Sequence, residues 1–565
     1  MKWVKKNPKL NFDKDMTIVE KLAKINKVDN LSDWMNPSSK FENSPHLLKN
    51  IDEATHRIMQ AVRDNEKIVI GSDIDSDGLN SASIMYNYLK NIYDIDNVSI
   101  VHAQRSDGHG LETFKDKVDD DTGLLIIVDS SSNSIDASKE VSEKGIDIVV
   151  IDHHDVDVDN PYVTLVNCKI GDYPNPNLSG SAMVYKVCQV IDEKIGEEFA
   201  DDFLDLVAIG LIGDVMSVRE MENRYLINKG ISQINNKGLN ILLKKAKVDT
   251  YRGISSTDIS FKISPMISAC SRFDKIELAI ELLTTEDEDR MKKLSKEMIE
   301  LNERRKSEQK EMVERFAEGL DDSNNIMIVI TDEIESGFRG LIASEVASKY
   351  NKPAFVLYPM KDSNGDVFEY SGSARGVGSI PLKDLCQDSG LFNFATGHQL
   401  AFGLSFDADK YDEVVKYFNE VLDDSDFEKV IYYDLEVDAN ELEELDLKEI
   451  EKFSRIVGEG FKEPKFKVTG LTLAEKETKK LGSHVRAVMG KNKDTVKIIC
   501  ENDFALMKFR SNEDFAKDLE DEFYGDAFMV EVEAVGSLNL NVFYNFGTKV
   551  TEVTKQVFIE DYRLV

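Results

Sequence analysis

Apolar, β-branched runs punctuate the chain from Lys67 onward: Ile68-Val69-Ile70, Leu124 to Val128 and Ile148 to Ile151, each soon followed by an acidic residue. Stretches of helical period lie between them, at Ser81 to Tyr93 and Ile135 to Lys144. Short runs of this kind suit buried strands, and strands alternating with helices predict an α/β domain with a parallel, doubly wound sheet. Ligands bind such sheets beyond the carboxyl ends of the strands. The acidic residues fall at those ends.

The same pattern divides the rest of the chain. Residues 1–65 read as a mainly helical lead-in with Trp3, Trp34 and scattered Leu and Ile, and residues 66–285 as the first α/β domain. Met291, Leu294, Met298 and Leu301 recur at 3-4-3 spacing in a polar segment without Pro, and without Gly before Gly319. That spacing predicts a long connecting helix within 286–322, partly bathed in solvent and spanning two domains. A second α/β domain is expected at 323–425. After an acidic bridge, alternating stretches (Lys465 to Leu473, Thr495 to Cys500, Phe528 to Val535, Asn539 to Tyr544) predict a β-rich terminal domain at 426–565, resembling a small barrel.

Composition narrows the class. A chain of 565 residues is too long for one core, and 41% hydrophobic residues exclude a disordered or fibrous protein. Cys168, Cys188, Cys270, Cys386 and Cys500 are widely spaced with no CxxC pair, which argues against a thiolate zinc site and a disulfide scaffold. No window approaches the ~18 apolar residues of a membrane span, and the N-terminus carries no secretory pattern. A cytoplasmic protein without membrane association is expected. The net charge of −35 argues by itself against nucleic-acid binding. Bound divalent cations would offset part of it, and much of the acid is concentrated in runs such as Asp423 to Glu451.

Four motifs carry candidate chemistry. Gly71-Ser72-Asp73-Ile74-Asp75-Ser76-Asp77-Gly78 places three carboxylates at alternate positions between a strand and a helix. Such crowding is repulsive unless cations sit among the acids. A solvated acidic turn is the alternative; an EF-hand is disfavoured because a strand precedes the run and Ile84 stands at its twelfth position. Asp129 ends the second apolar run, as a ligand or as a helix cap. Asp152-His153-His154-Asp155 ends the third, pairing imidazoles with hard oxygen donors, the alternative being a surface pair. Asp214 closes the apolar run from Leu204, again as ligand or cap. Together the four can converge on one edge, and mixed Asp and His donors suit Mn²⁺ or Mg²⁺ better than structural zinc. Two such ions would polarise a phosphate and generate hydroxide, so the residues point to metal-assisted phosphoester hydrolysis.

The order DxDxDG, Asp after a strand, DHH, then GD in an apolar stretch resembles the DHH phosphoesterase superfamily. Over about residues 45–550 the chain is similar to RecJ-type single-strand-specific 5′→3′ exonucleases. Arg105 to Leu111 resembles the family's Arg-containing GYGL segment, with His109 in place of Tyr. Leu178 to Ala182 resembles its LAG segment, Glu222-Asn223-Arg224 follows the fourth motif as in RecJ, and Ser264 to Arg272 stands where PRINAAGR is usual. Gly340 to Ser344, Gly372 to Arg375 and Gly397-His398 resemble the DHHA1 substrate-binding domain. Gly458 to Pro464 resembles the PFGxGNPxP signature that precedes an OB-like domain.

The resemblance implies roles by residue. Asp75 and Asp77 match the DxD metal ligands, with Asp73 beside them. Asp129 matches the bridging carboxylate, and His153 and Asp214 the remaining ligands. Asp152 would orient the cluster while His154 faces the attacking water or scissile phosphate. Ser373, Arg375, Gly397 and His398 would hold phosphates from the second domain, and Arg105 and Arg272 would steady the DNA end or backbone. The implied substrate is single-stranded DNA, degraded processively to mononucleotides in repair, recombination or replication, with a helicase and a single-strand-binding protein as implied partners. A monomer is expected. Thr396-Gly397-His398 for GGH, Asp129-Ser130-Ser131 for the usual Asn/Cys-Gly continuation, and Ala269-Cys270-Ser271-Arg272 for AAGR depart from the family without removing a ligand. A basic stretch with Lys476, Lys479, Lys480, His484, Arg486, Lys491 and Lys493, with Phe504 and Phe509 as stackers, would suit a single strand. The alternative is a solvated loop and two core phenylalanines. Two other functions stay open: a phosphodiesterase for short oligonucleotides or cyclic dinucleotides, and a non-catalytic RecJ-like replication scaffold.

Overall fold

The computed structural model describes the chain apart from residues 94, 104–107, 250–252, 475–494, 500–503, 510–528 and 546–549. Arg105 and the basic stretch from Lys476 to Lys493 therefore lie outside the described residues, as does the side chain of Phe509. The fold comprises two compact units, Lys40–Lys429 and a smaller one joining Met1–Ser39 to Val430–Val565. The chain opens in the smaller unit with strand β1 (Lys2–Lys5) and helices α1 (Ile18–Ile25) and α2 (Leu31–Met35). Thr17 and Glu20 start α1 as a reciprocal capping box.

The larger unit begins with α3 (Ile51–Arg63), which turns Ile51, Ala54, Ile58 and Ala61 inward. Its first sheet holds β2 (Ile68–Ser72), β3 (Val98–His102), β4 (Leu124–Val128), β5 (Asp147–Asp152) and β6 (Thr164–Asn167). The five strands are parallel in the order β3-β2-β4-β5-β6. Every residue of β2 and β4 is buried, so these strands read as continuous apolar runs rather than as alternation. α4 (Ser76–Tyr93) crosses from β2 to β3, and α5 (Ile135–Ser142) covers the opposite face through Ala137 and Val141. The strand order reverses between β2 and β4, which opens a crevice at their carboxyl ends.

Helices α6 (Gly180–Ile195) and α7 (Leu204–Gly213) pack beside α4. Nine of the ten α7 residues are buried, which makes the apolar run from Leu204 a core helix. Then follow α8 (Met221–Ser232), α9 (Lys237–Lys245), α10 (Ser256–Asp258), a π turn at Ile259–Ile263, α11 (Ser264–Arg272) and α12 (Ile276–Thr284). The connecting segment is α13 (Glu288–Phe316), whose 29 residues span about 43 Å. It buries Met291, Leu294, Met298 and Leu301, the residues of the 3-4-3 pattern.

The second α/β part runs β7 (Met327–Ile330), α14 (Ser336–Tyr350), β8 (Ala354–Lys361), β9 (Val367–Arg375), α15 (Leu382–Asp388), β10 (Phe394–His398), β11 (Ala401–Asp407) and α16 (Tyr411–Val421). Its sheet order is β10-β11-β9-β8-β7, parallel only between β7 and β8. α14 covers one face with Phe338 and Ile342, while Leu382, Cys386, Val414 and Phe418 from α15 and α16 fill the other.

Residues 1–65 are not one helical lead-in. The first 39 residues group with the C-terminal part and open as a strand, because β1 pairs in parallel with β12 (Val430–Tyr433). Such pairing across more than 400 residues leaves no local pattern. The smaller unit continues with β13 (Leu435–Asp438), α17 (Glu444–Phe453), β14 (Phe466–Ala474), β15 (Thr495–Ile499), β16 (Phe504–Phe509), β17 (Met529–Asn545) and β18 (Val550–Leu564). Six of these strands form one sheet, in the order β13-β14-β17-β18-β16-β15. Trp34 packs edge-on against Phe461, ring centres 4.9 Å apart, and buried Asp434 pairs with Lys6 at 3.0 Å. Phe504 is wholly buried with the Lys555 ammonium 4.6 Å from its ring centre, so it is a core residue and not an exposed stacker.

Candidate metal centre

The crevice at the carboxyl ends of β2 and β4 gathers Asp73, Asp75, Asp77, Asp129, Asp152, His153, His154 and Asp214, while Asp155 faces outward and pairs with Lys169 at 2.8 Å. In the turn from β2 to α4, Asp75 Oδ1 accepts the backbone N–H groups of Asp77 at 2.8 Å and Gly78 at 3.0 Å. The loop is thereby tied to the helix N-terminus, where negative charge is favoured. Asp77 is fully buried and accepts from the Gly180 and Ser181 N–H groups at 2.5 and 3.1 Å, the opening of α6. Gly180 has to be glycine: a Cβ there would collide with the carboxylate of Asp129.

Asp129 follows β4 with φ of +62°, and Ser131 has φ of +76°. Asp tolerates the left-handed region better than most residues, and the turn lets a strand-end carboxylate point into the crevice. Asp152 ends β5 and is wholly buried. Its carboxylate accepts from Ser132 Oγ at 2.6 Å and from the His153 N–H at 2.7 Å, and it pairs with His154 Nδ1 at 2.8 Å. Burial opposes its ionisation, but the bonds from His154 and Ser132 hold it below the usual carboxylate range. The same Asp152 contact raises His154 to about 9, against the effect of burial. The His154 side chain stays 56% exposed, so its Nε2 edge is open to a ligand.

His153 is buried, and burial lowers its affinity for a proton. Its Nε2 lies 3.1 Å from Asp129 Oδ1 and 3.3 Å from Asp214 Oδ2. Nevertheless His153 Nε2 and Asp129 Oδ1 are both buried without a hydrogen-bond partner. Buried polar atoms are rarely left so, and a bound cation would satisfy both. Burial and the surrounding carboxylates push Asp75 up to about 6, Asp214 up to about 8, and Asp129 well above its ordinary value. Cations among these groups would reverse that logic.

Three groups of donor atoms lie within 4.8 Å of one another: Asp73, Asp75 and Asp129; Asp77, His153 and Asp214; and Asp129, Asp152, His153 and His154. The first, all carboxylate, and the second, with one imidazole, each have donors that can hold a divalent cation such as Mn²⁺ or Mg²⁺. Two features went unread in the sequence. Ser132 holds Asp152 from 20 residues away, and His109 Nδ1 approaches Asp73 Oδ1 at 3.1 Å. A serine in a polar run carries no signal of such a partner, whereas His109 had drawn notice only as a substitution for Tyr.

Those of the remaining predicted residues that are described lie elsewhere in the larger unit. Arg272, at the end of α11, donates to the Gly337 carbonyl of α14, and Phe273 packs on Phe338 with ring centres 5.8 Å apart. Arg375 lies against Gly340 of α14 and donates to the Ala374 carbonyl at 2.7 Å. Arg375, Ala401 and His398 form one cross-strand row, and Ser373, Gly403 and Thr396 the next. Gly397 has φ of +136°, beside Phe402.

A model of the DHH family, N-terminal domain, matches residues 67–211. The chain is 30% identical over 509 residues to YorK of Bacillus subtilis, assigned as an SPbeta prophage-derived single-strand DNA-specific exonuclease, covering 84% of each chain. It is 26% identical over 477 residues to the single-stranded-DNA-specific exonuclease RecJ of the same organism, covering 81% of this chain and 58% of that one. Its fold matches the crystal structure of Thermus thermophilus RecJ in complex with Mn²⁺, with a TM-score of 0.70 at 19% identity, over 96% of this chain and 75% of that one. With its DHH sheet, its ligand cluster and a relative matched over most of both lengths, the chain belongs to the RecJ-type branch of the DHH superfamily.

Proposed function

We propose that the chain is a metal-dependent exonuclease that hydrolyses single-stranded DNA processively from its 5′ end to mononucleotides. The observation that carries this reading is the paired donor cluster, with His153 Nε2 and Asp129 Oδ1 buried and facing one another without a bond. Two divalent cations, Mn²⁺ or Mg²⁺, would supply Lewis acidity and a hydroxide nucleophile there. Asp73, Asp75 and Asp129 are suited to hold one ion, and Asp77, His153 and Asp214 the other. Asp152 fixes His154 through Nδ1 and favours its protonated form, whose Nε2–H can donate a hydrogen bond to the scissile phosphate. Ser373, Arg375, Gly397 and His398 receive phosphates on the second sheet, where the planar Arg375 fork can bind two oxygens. Arg272 joins α11 to α14 and steadies that side of the strand. Arg105 enters on the family resemblance alone, as does the 5′→3′ polarity.

The test is degradation of a 5′-labelled single strand with Mn²⁺ or Mg²⁺, beside a 3′-labelled strand, a duplex and the Asp129→Ala variant. Mononucleotide released at once from the 5′ label, and absent from duplex and variant, is the expected result. Stable long strands with rapid loss of dinucleotides to tetranucleotides would replace this reading with the short-substrate one.

A further inference from the structure

The second sheet carries more than its phosphate-binding row. Residues two apart on a strand share a face, so its register defines four successive rows on one side, the last being Glu369 with Asp407. Arg375, Ala401 and His398 form the first; Ser373, Gly403 and Thr396 the second; Ser371, Ser405 and Phe394 the third. α14 covers the β7–β8 side of this face through Phe338 and Ile342 packed on Ala354 and Val356. The core contacts of α15 and α16 lie on the opposite face, with Ala395, Phe402, Leu404 and Phe406. The β10 end is therefore open: Thr396 and His398 are exposed, and Phe394 is 45% exposed.

Phe394 does not simply protrude. Its Cε2 would lie 3.7 Å from a Cβ on Gly403, so the ring leans across the middle row, where the absence of a side chain leaves room. The floor around it is small and polar, and the cationic Arg375 lies two rows away, about 14 Å along the strands. Arg375 has no carboxylate partner among the described residues, and burial lowers its pKa. A cation in the first row and a flat apolar ring in the third suit a ligand with phosphates and planar bases. Base–aromatic stacking of this kind tolerates any sequence.

We propose that this face is a nucleobase-stacking platform, with Phe394 as the ring that takes a base of the single strand whose phosphates meet Arg375 and His398. The inference rests on the single-strand reading above and adds a base-dependent site to it. The residue acts in binding, away from the reacting atoms.

The experiment uses the full chain with Asp129→Asn, so that DNA survives, and measures affinity for a thymidine octamer and for an octamer of abasic residues. Phe394→Ala and Phe394→Leu should each weaken thymidine-octamer binding by about 5- to 100-fold, leaving the abasic strand unaffected, while Phe394→Trp retains the preference. Equal losses on both strands, or no loss on the thymidine octamer, overturn the platform while the single-strand reading stands. Failure of the Phe394 parent to bind either strand overturns both.

Discussion

At the scale of single residues, the centre depends on partners that fix side-chain direction as much as on the donors. Asp152 is the clearest case, since its carboxylate is saturated by Ser132, His153 and His154 and carries the His154 ring with it. Asp152→Asn should lower turnover about 10- to 100-fold, the range for groups that orient ligands, with little change in Tm. Steady-state kinetics beside thermal melting separates that outcome from unfolding. Lys186 is a different kind of residue, wholly buried, with its ammonium 3.0 Å from Glu222 and 3.1 Å from Glu42. Removing one partner strands a buried charge, so Lys186→Met should cost about 3–5 kcal/mol in urea unfolding. The clustered motifs were legible because acidic and imidazole side chains at strand ends have few other reasons to occur together. Ser132 was not, because its role exists only through Asp152.

At the scale of elements, helix starts do much of the positioning. Gly180 opens α6 with its N–H on Asp77 and its bare Cα against Asp129. Gly180→Ala should weaken Mn²⁺ binding about 10- to 100-fold and stability by about 1–3 kcal/mol, measured by metal titration and denaturant melts. α7 offers a test by pH. Asp205 lies in its first turn, pushed up to about 6 by burial although it accepts the Asn235 and Asn236 N–H groups at 2.8 and 2.7 Å. Its folded pKa exceeds its ordinary 3.8, so its contribution is complete below pH 3.8 and is lost as pH rises through 6. Relative to Asp205→Asn, the natural chain should lose about 2–3 kcal/mol between pH 4 and pH 7. A flat difference across that range would refute the assignment.

For the whole molecule, the two-unit division places both tryptophans, Trp3 and Trp34, in the smaller unit. Tryptophan fluorescence therefore reports unfolding of that unit specifically. Lys6→Met leaves the fully buried Asp434 without its ion pair and should lower the fluorescence-detected transition by about 1–3 kcal/mol. An unchanged transition would mean that the Lys6–Asp434 pair adds nothing to that unit.

The sequence by itself determined the elements whose signal is local: the apolar runs of β2, β4 and β5, the 3-4-3 stripe of α13, and the identity of the acidic and imidazole groups. Burial on both faces writes a strand into four or five consecutive residues, and one buried helix stripe writes itself into a spacing. Tertiary structure alone decided which distant groups share a point. The β1–β12 pairing, the Ser132 support of Asp152, the convergence of Asp214 with His153 and the row linking Phe394 to Ser371 all join segments far apart in the chain. Those relations come from strand order and register, and neither leaves a periodic trace in the residues it brings together.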